Sequence, residues 1–372
     1  MIRVLAMAAG CAVAIACAAG AAAAERGVST TSGAIAIANL DHQIEQARDD
    51  DGRIELLLSR ARYLGDYGAL DRAAVGAETS SATGESLLRR AQTRAAAHRF
   101  ADALADLDAA QRAGIAASRI DAQKMPILIA TARAAEALPA LEIAAERTPG
   151  YSTHGALATA CAELGSYDRA DREYAAALAD LRTTSPFPYA WLYFARGTMW
   201  SEQAGDPVRG EAFYRKALAH LPQFAAANVH LAELETARGE FEAAAARLER
   251  VLAASEEPEA RALLGEIRLR GGDPAGARDI DRARRHYEAL LARYPLAFAD
   301  HAAEFYLGAG GDPERAWALA ELNLANRPTG RAFALAIRAA AASGHEACAL
   351  ATDARNRFGP GAFPACIEGR GR

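Results

Sequence analysis

A turn signal followed by a helix-forming run returns along this chain at a nearly constant interval. The stretch ELGSYDRADREYAAAL (163–178) carries it most fully: a glycine, a tyrosine two residues on, then small or aromatic residues at 170, 174 and 177. ARGEFEAAAARLERVL (237–252), YLGDYGALDRAAVGAE (63–78) and HRFADALADLDAAQRA (98–113) repeat it. The turn positions read from the sequence are Gly65, His98, Ala135, Gly165, Gly205, Gly239, Gly272, Gly311 and Gly344. Their separations are 33, 37, 30, 40, 34, 33, 39 and 33 residues. A recurrent 33–34-residue step, in a chain without β-branched strand runs, is the spacing of stacked helical hairpins. One such hairpin cannot bury its apolar face alone and does so against its neighbours. The expected fold is therefore all-α: an α-solenoid of antiparallel helical hairpins.

The residue types within each unit have physical jobs. Small residues where two helices cross let the backbones approach, and an aromatic from the next helix fills the space beside them. In the fourth unit these are Leu157 and Ala158, then Tyr167, Ala170, Tyr174 and Ala177. The fifth has Tyr214, Ala217 and Pro222, and the sixth Leu231, Ala232, Phe241 and Ala244. The seventh has Leu264, Gly265, Ala277, Tyr287 and Pro295, and the eighth Ala316 and Pro328. Gly-Asp-Pro occurs at 205–207, 272–274 and 311–313, and reads as a closing glycine, a capping aspartate and a first-turn proline. Together these positions resemble the tetratricopeptide repeat family, over roughly residues 51–361. The resemblance implies a superhelix that holds a protein or peptide segment along the inner faces of its first helices.

The chain divides accordingly. Residues 1–24 read as an export signal: Arg3, an apolar stretch, and Ala22-Ala23-Ala24 before a cleavage at Glu25. An uncleaved anchor and lipidation at Cys17 are the alternatives. Residues 25–50 are expected to be a flexible lead with a short capping helix over 40–49. The array of about nine degenerate units fills 51–361, and 362–372 form a loose tail. Long gaps after Gly165 and Gly272 predict a longer helix or an added turn, with 278–295 as one extended helix. Cys348 and Cys366 are the possible disulfide of an exported chain, and Cys161 reads as a buried small hydrophobe.

No constellation for catalysis is present. The sequence lacks a phosphate-binding glycine loop, a serine elbow and a paired-histidine zinc motif. No cysteine-histidine cluster has ligand spacing, so neither a metal nor another cofactor is expected. A net charge of −5, spread without a basic stripe, argues against nucleic acid.

By the resemblance, the inner face takes Met199, Glu202 and Gln203 from the fifth unit, Glu233 and Thr236 from the sixth, and Glu259 and Glu266 from the seventh. The eighth unit gives His301 and Phe305 and the ninth Arg338. Lys124 and Lys216 are the only lysines, so the carboxylate clamp of the family's chaperone-binding members is absent. An acidic groove with apolar patches suits a basic or apolar peptide. In PFPYAWLYFARGTMW (186–200), Tyr189 and Tyr193 share one helix face, Trp191 and Phe194 another, with Trp200 beyond. One pair should pack in the core and the other face a partner. The expected function is a non-enzymatic binding or assembly scaffold of the bacterial envelope, in the periplasm. The rival readings are an accessory module of an envelope enzyme or secretion complex, and a structural outer-membrane lipoprotein attached through Cys17.

Overall fold

A computed structural model describes residues 29–48, 50–80, 83–359 and 363. The signal, Cys17 and Cys366 lie outside them. Nineteen α-helices, one π turn and no strand make up the described residues. After α1 (Gly33–Gln46), nine antiparallel hairpins follow. The first four are α2 (Asp50–Leu64) with α3 (Tyr67–Thr79), α4 (Gly84–Ala96) with α5 (Phe100–Arg112), α6 (Ala117–Ala130) with α7 (Ala134–Arg147), and α8 (Tyr151–Glu163) with α9 (Tyr167–Asp180). The fifth joins α10 (Pro186–Thr198), through the π turn Met199–Gln203, to α11 (Pro207–His220). The last four are α12 (Ala225–Ala237) with α13 (Phe241–Leu252), α14 (Pro258–Arg270) with α15 (Ala275–Arg293), α16 (Pro295–Leu307) with α17 (Pro313–Asn326), and α18 (Gly330–Ser343) with α19 (Ala347–Phe358).

Every hairpin reverses through one residue in the left-handed region. Gly65, His98, Ala132, Gly165, Gly205, Gly239, Gly272, Gly311 and Gly344 all have φ between +54° and +80°. Eight are the positions read from the sequence. The third is a correction: Ala132 makes the turn, and Ala135 lies inside α7. With no glycine to mark it, the turn is set by hydrogen bonds that close α6, from Ala132 N to Ile129 O (3.2 Å) and Arg133 N to Leu128 O (2.8 Å). The separations become 33, 34, 33, 40, 34, 33, 39 and 33 residues.

The crossing within each of the first eight hairpins is closed by a buried small residue four or five positions past the turn: Ala69, Ala103, Ala137, Ala170, Gly210, Ala244, Gly276 and Ala316. In the seventh unit this corrects Ala277, which is exposed. There Asp273 accepts from Ala275 N at 2.8 Å, so α15 starts just past Pro274 and the crossing moves to Gly276. The tightest contacts are backbone on backbone. A Cβ on Gly276 would lie 2.4 Å from Gly265 O, and one on Gly210 would lie 2.9 Å from Gly197 O. The fifth and eighth Gly-Asp-Pro turns form as read, Asp206 and Asp312 accepting from the amides of Arg209 and Arg315 at 3.0 Å.

The two long intervals have separate causes. In the fifth unit the first helix runs on through the π turn, and in the seventh α15 extends to 19 residues. A further correction falls at the N-terminus. Residues 33–39, expected to be part of a flexible lead, belong to α1. Ala36, Leu40 and Ile44 recur on one face and are buried, and Thr31 N bonds Thr184 O at 2.8 Å.

The superhelix seats on itself. Hairpin turns of the first three units rest on the loops between units five to nine. Tyr63 packs its ring 4.8 Å from Phe187 and 5.2 Å from Phe224, joining a core shared with Tyr193 and Leu221. Tyr67 donates to Glu257 at 3.2 Å and meets the Phe298 ring edge-on at 4.9 Å. His98 Nδ1 lies 3.1 Å from Leu296 O, and Asn326 donates to His98 O at 3.0 Å. Arg327 Nε reaches Ala130 O at 3.4 Å. The extended α15 adds Tyr294, bonded to Asp71 at 2.8 Å, with Arg293 paired to the same carboxylate. These contacts join residues 124 to 231 apart in sequence.

Candidate functional site

The inner helices do not border an open groove. They line a narrow lumen in which acidic and basic side chains are paired. Glu259 and His301 keep 32% and 39% of their side-chain surface accessible, yet protein encloses them on nearly every side.

Glu202 stands at the centre. The π turn carries it off the helical register, a local break found often at functional positions. His230 Nδ1 lies 3.0 Å from its Oε1, and Arg331 Nη1 donates to its Oε2 at 2.8 Å. Enclosure opposes ionisation of Glu202, but His230 and Arg331 outweigh it and lower its pKa. His230 also lies 3.4 Å from Glu233. Its enclosure disfavours charge, yet the two carboxylates hold its pKa well above the usual imidazole range.

The next ring is built on α14 and α16. His301 Nδ1 lies 3.3 Å from Glu259, and Arg327 lies 3.3 Å from Asp300. Enclosure works against the His301 cation, but Asp300 and Glu259 push its pKa to about 9. Glu259 is held low by the His301 cation against its own desolvation. Its neighbour Glu257 behaves oppositely: burial, with the Glu259 charge, pushes it up to about 7. Arg338 pairs with Glu304, and Gln203 donates to Glu163 at 2.8 Å.

Of the sequence-derived positions, Glu202, Gln203, Glu233, Glu259, His301 and Arg338 come together in this network. Glu266 Oε1 lies near the Gly308 turn, 3.5 Å from where a Cβ there would stand. Three positions are corrections. Met199 is 1% exposed in the wall, because the π turn rotates it inward. Phe305 is buried against Tyr287 at 5.1 Å. Thr236 spends its hydroxyl on Ala232 O of its own helix, at 2.7 Å.

The aromatic stretch divides as its helical period requires. Tyr189 and Tyr193 are buried and stack on His220 at 5.0 and 5.7 Å. Trp191 stays 39% exposed, with the Arg62 guanidinium 5.2 Å from its ring. Phe194 is half-buried against Phe224 and His230. Trp200, far from facing a partner, is built into the wall: its Nε1 donates to Asp171 at 2.7 Å and Arg209 covers its ring at 3.2 Å.

The sequence reading missed His230, Asp300, Glu304 and Arg331. His230 and Glu233 are three apart on one face, a signal that was there to find. Arg331 is seven residues, two helical turns, before Arg338 on the same stripe. Cys161 is buried and free, and Cys348 is disulfide-bonded. No group of three or more potential metal ligands occurs among the described residues.

The sequence profile of the tetratricopeptide repeat family matches residues 202–267, from the π turn through most of α14. The matched hairpin has the same left-handed turn and the same buried small crossing residue as its neighbours along the array. Residues 202–267 are tetratricopeptide repeat sequence, set within an array of like hairpins. No curated protein sequence matches the chain. Among solved structures, the chain is similar to the Rap protein complexed with competence and sporulation factor, at 13% identity and a TM-score of 0.49, covering 82% of this chain and 99% of that one. It is also similar to the APC/C hetero-tetramer Cut9-Hcn1, at 14% identity and a TM-score of 0.48, covering 84% of this chain but only 61% of that one. A tetratricopeptide repeat protein from Parabacteroides merdae is similar at 14% identity and a TM-score of 0.39, with coverages of 78% and 98%.

Proposed function

We propose that the protein is a non-catalytic scaffold of the bacterial envelope whose lumen holds an arginine- or lysine-bearing peptide segment of a partner protein. The carrying observation is the lining: Glu202, Glu233, Glu259, Glu304 and Asp300 project from consecutive first helices, and no lysine accompanies them. Carboxylates enclosed by protein are screened by salt less than surface ones, so a cation entering the lumen gains more from each. Trp191, accessible beside Arg62, offers apolar contact to the same segment. Placement in the periplasm rests on residues 1–24, with cleavage before Glu25. Intact mass of exported protein tests it: a chain beginning at Cys17 with added acyl mass would replace this reading with the lipoprotein one.

The binding reading is tested with partner segments recovered by the mature protein and then titrated in purified form. Affinity should fall as salt is raised. A Glu202→Lys, Glu233→Lys double variant should lose binding while keeping its helical spectrum. Unchanged affinity at low salt would remove the lumen from consideration.

A further inference from the structure

Arg331 differs from the other cations of the lumen. Glu202 with His230, Glu259 with His301 and Glu304 with Arg338 each join adjacent units, and Asp300 with Arg327 lies within one unit and the loop that follows it. Among these ion pairs only that of Arg331 reaches across, from the first turn of the ninth unit to Glu202 of the fifth, 129 residues away. Arg331 brings the cations to five, beside His230, His301, Arg327 and Arg338, against the carboxylates of Glu202, Glu233, Glu259, Asp300 and Glu304, but balance alone does not require that it reach Glu202. Glu202 already has His230. What Arg331 adds is a bar across the space a peptide would occupy, using the side chain that such a peptide would bring.

We propose that Arg331 closes the unliganded lumen as the chain's own occupant of Glu202, and that an arginine-bearing segment enters by displacing it. The inference rests on the peptide-holding reading above and adds an internal competitor to it. Three features support exchange. Arg331 keeps 57% of its side chain accessible although protein encloses it on nearly every side, so it borders the lumen space and is not packed over by other side chains. Its target sits on a π turn, where the helix ladder is already irregular. An incoming guanidinium would find both its oxygen acceptor and the neighbouring carboxylates in place, so the site needs no rebuilding.

The test uses the mature chain, an amidated fluorescent peptide Gly-Ser-Arg-Ser-Arg-Ser-Gly, and its citrulline twin, which keeps the shape and loses the charge. Arg331→Gln should bind the arginine peptide roughly ten-fold tighter than the parent, the factor expected if the closed state holds ~90% of molecules. Spin labels on Val208→Cys and Ala341→Cys, both exposed positions, should report a wider separation in Arg331→Gln, and in the parent once the peptide is bound. Arg331→Lys should behave like the parent. If the parent prefers the arginine peptide and Arg331→Gln binds it no tighter, the internal competitor is overturned and the peptide reading stands. If neither protein distinguishes the arginine peptide from its citrulline twin, the peptide reading itself falls.

Discussion

At the scale of single residues, the array depends on atoms that are missing. Gly276 faces Gly265 O so closely that a methyl group has nowhere to go, and Gly210 is similarly confined by Gly197 O and Ser201. Gly276→Ala and Gly210→Ala should each cost ~1–3 kcal/mol through overpacking, read as a lower denaturation midpoint at unchanged slope. The opposite outcome is expected at Ala132. It is exposed and held at φ +61°, where an L residue is strained by roughly 1–2 kcal/mol. Ala132→Gly should therefore stabilise the protein slightly, the gain reduced by the greater freedom of glycine in the unfolded chain. The turn glycines and crossing alanines were legible in the sequence because they answer to local geometry that every unit shares. Ala132 was not, since nothing in its side chain marks a left-handed turn. Arg331 was not either, because its partner is chosen by the pitch of the superhelix and not by anything within its own helix.

At the scale of elements, the two units that break the period both reach across to distant units. The π turn delivers Glu202 to Arg331, and the extended α15 delivers Arg293 and Tyr294 to Asp71. Both were visible as long gaps, but a gap states how much chain is added and not where it goes. The loop before α14 carries the clearest pH dependence. Glu257 has its pKa raised from 4.5 to about 7, so its contribution is complete below pH 4.5 and is lost as pH rises through 7. His301 is raised from 6.5 to about 9, so its contribution is complete below pH 6.5 and is lost as pH rises through 9. Both signs agree. His98, lowered to about 4 by burial, acts in the opposite direction below pH 6.5, so thermal stability should decline between about pH 6.5 and 9. His301→Gln should flatten that decline, and Glu257→Gln should remove the loss between about pH 4.5 and 7. An unchanged profile in both variants would show that these groups titrate as they do in the unfolded chain.

At the scale of the molecule, a simple solenoid confines damage to neighbouring units, because each unit touches only the next. The seam between turns of this superhelix changes that expectation. Tyr67→Ala, in the first unit, should cost ~1–3 kcal/mol and should raise amide exchange in α14 and α16 as well as in α2 and α3. Exchange confined to the first two units would mean that the seam contributes no coupling. Trimming the array from its N-terminus should likewise loosen units six to eight, since Tyr63 and Tyr67 are part of their packing.

The same seam sets a timetable on the ribosome. Tyr63 and Tyr67 emerge long before the surfaces that cover them, because Phe224, Glu257 and Phe298 follow by about 160 to 230 residues. At ordinary elongation rates the first three hairpins spend roughly 10–45 s with those rings bare. They can build their own crossings in that interval, since these are local, but not their final seat. Nascent chains halted before Phe224 should therefore be more prone to aggregate and to capture by holding chaperones than chains halted after Arg331, even though every completed hairpin in both is the same.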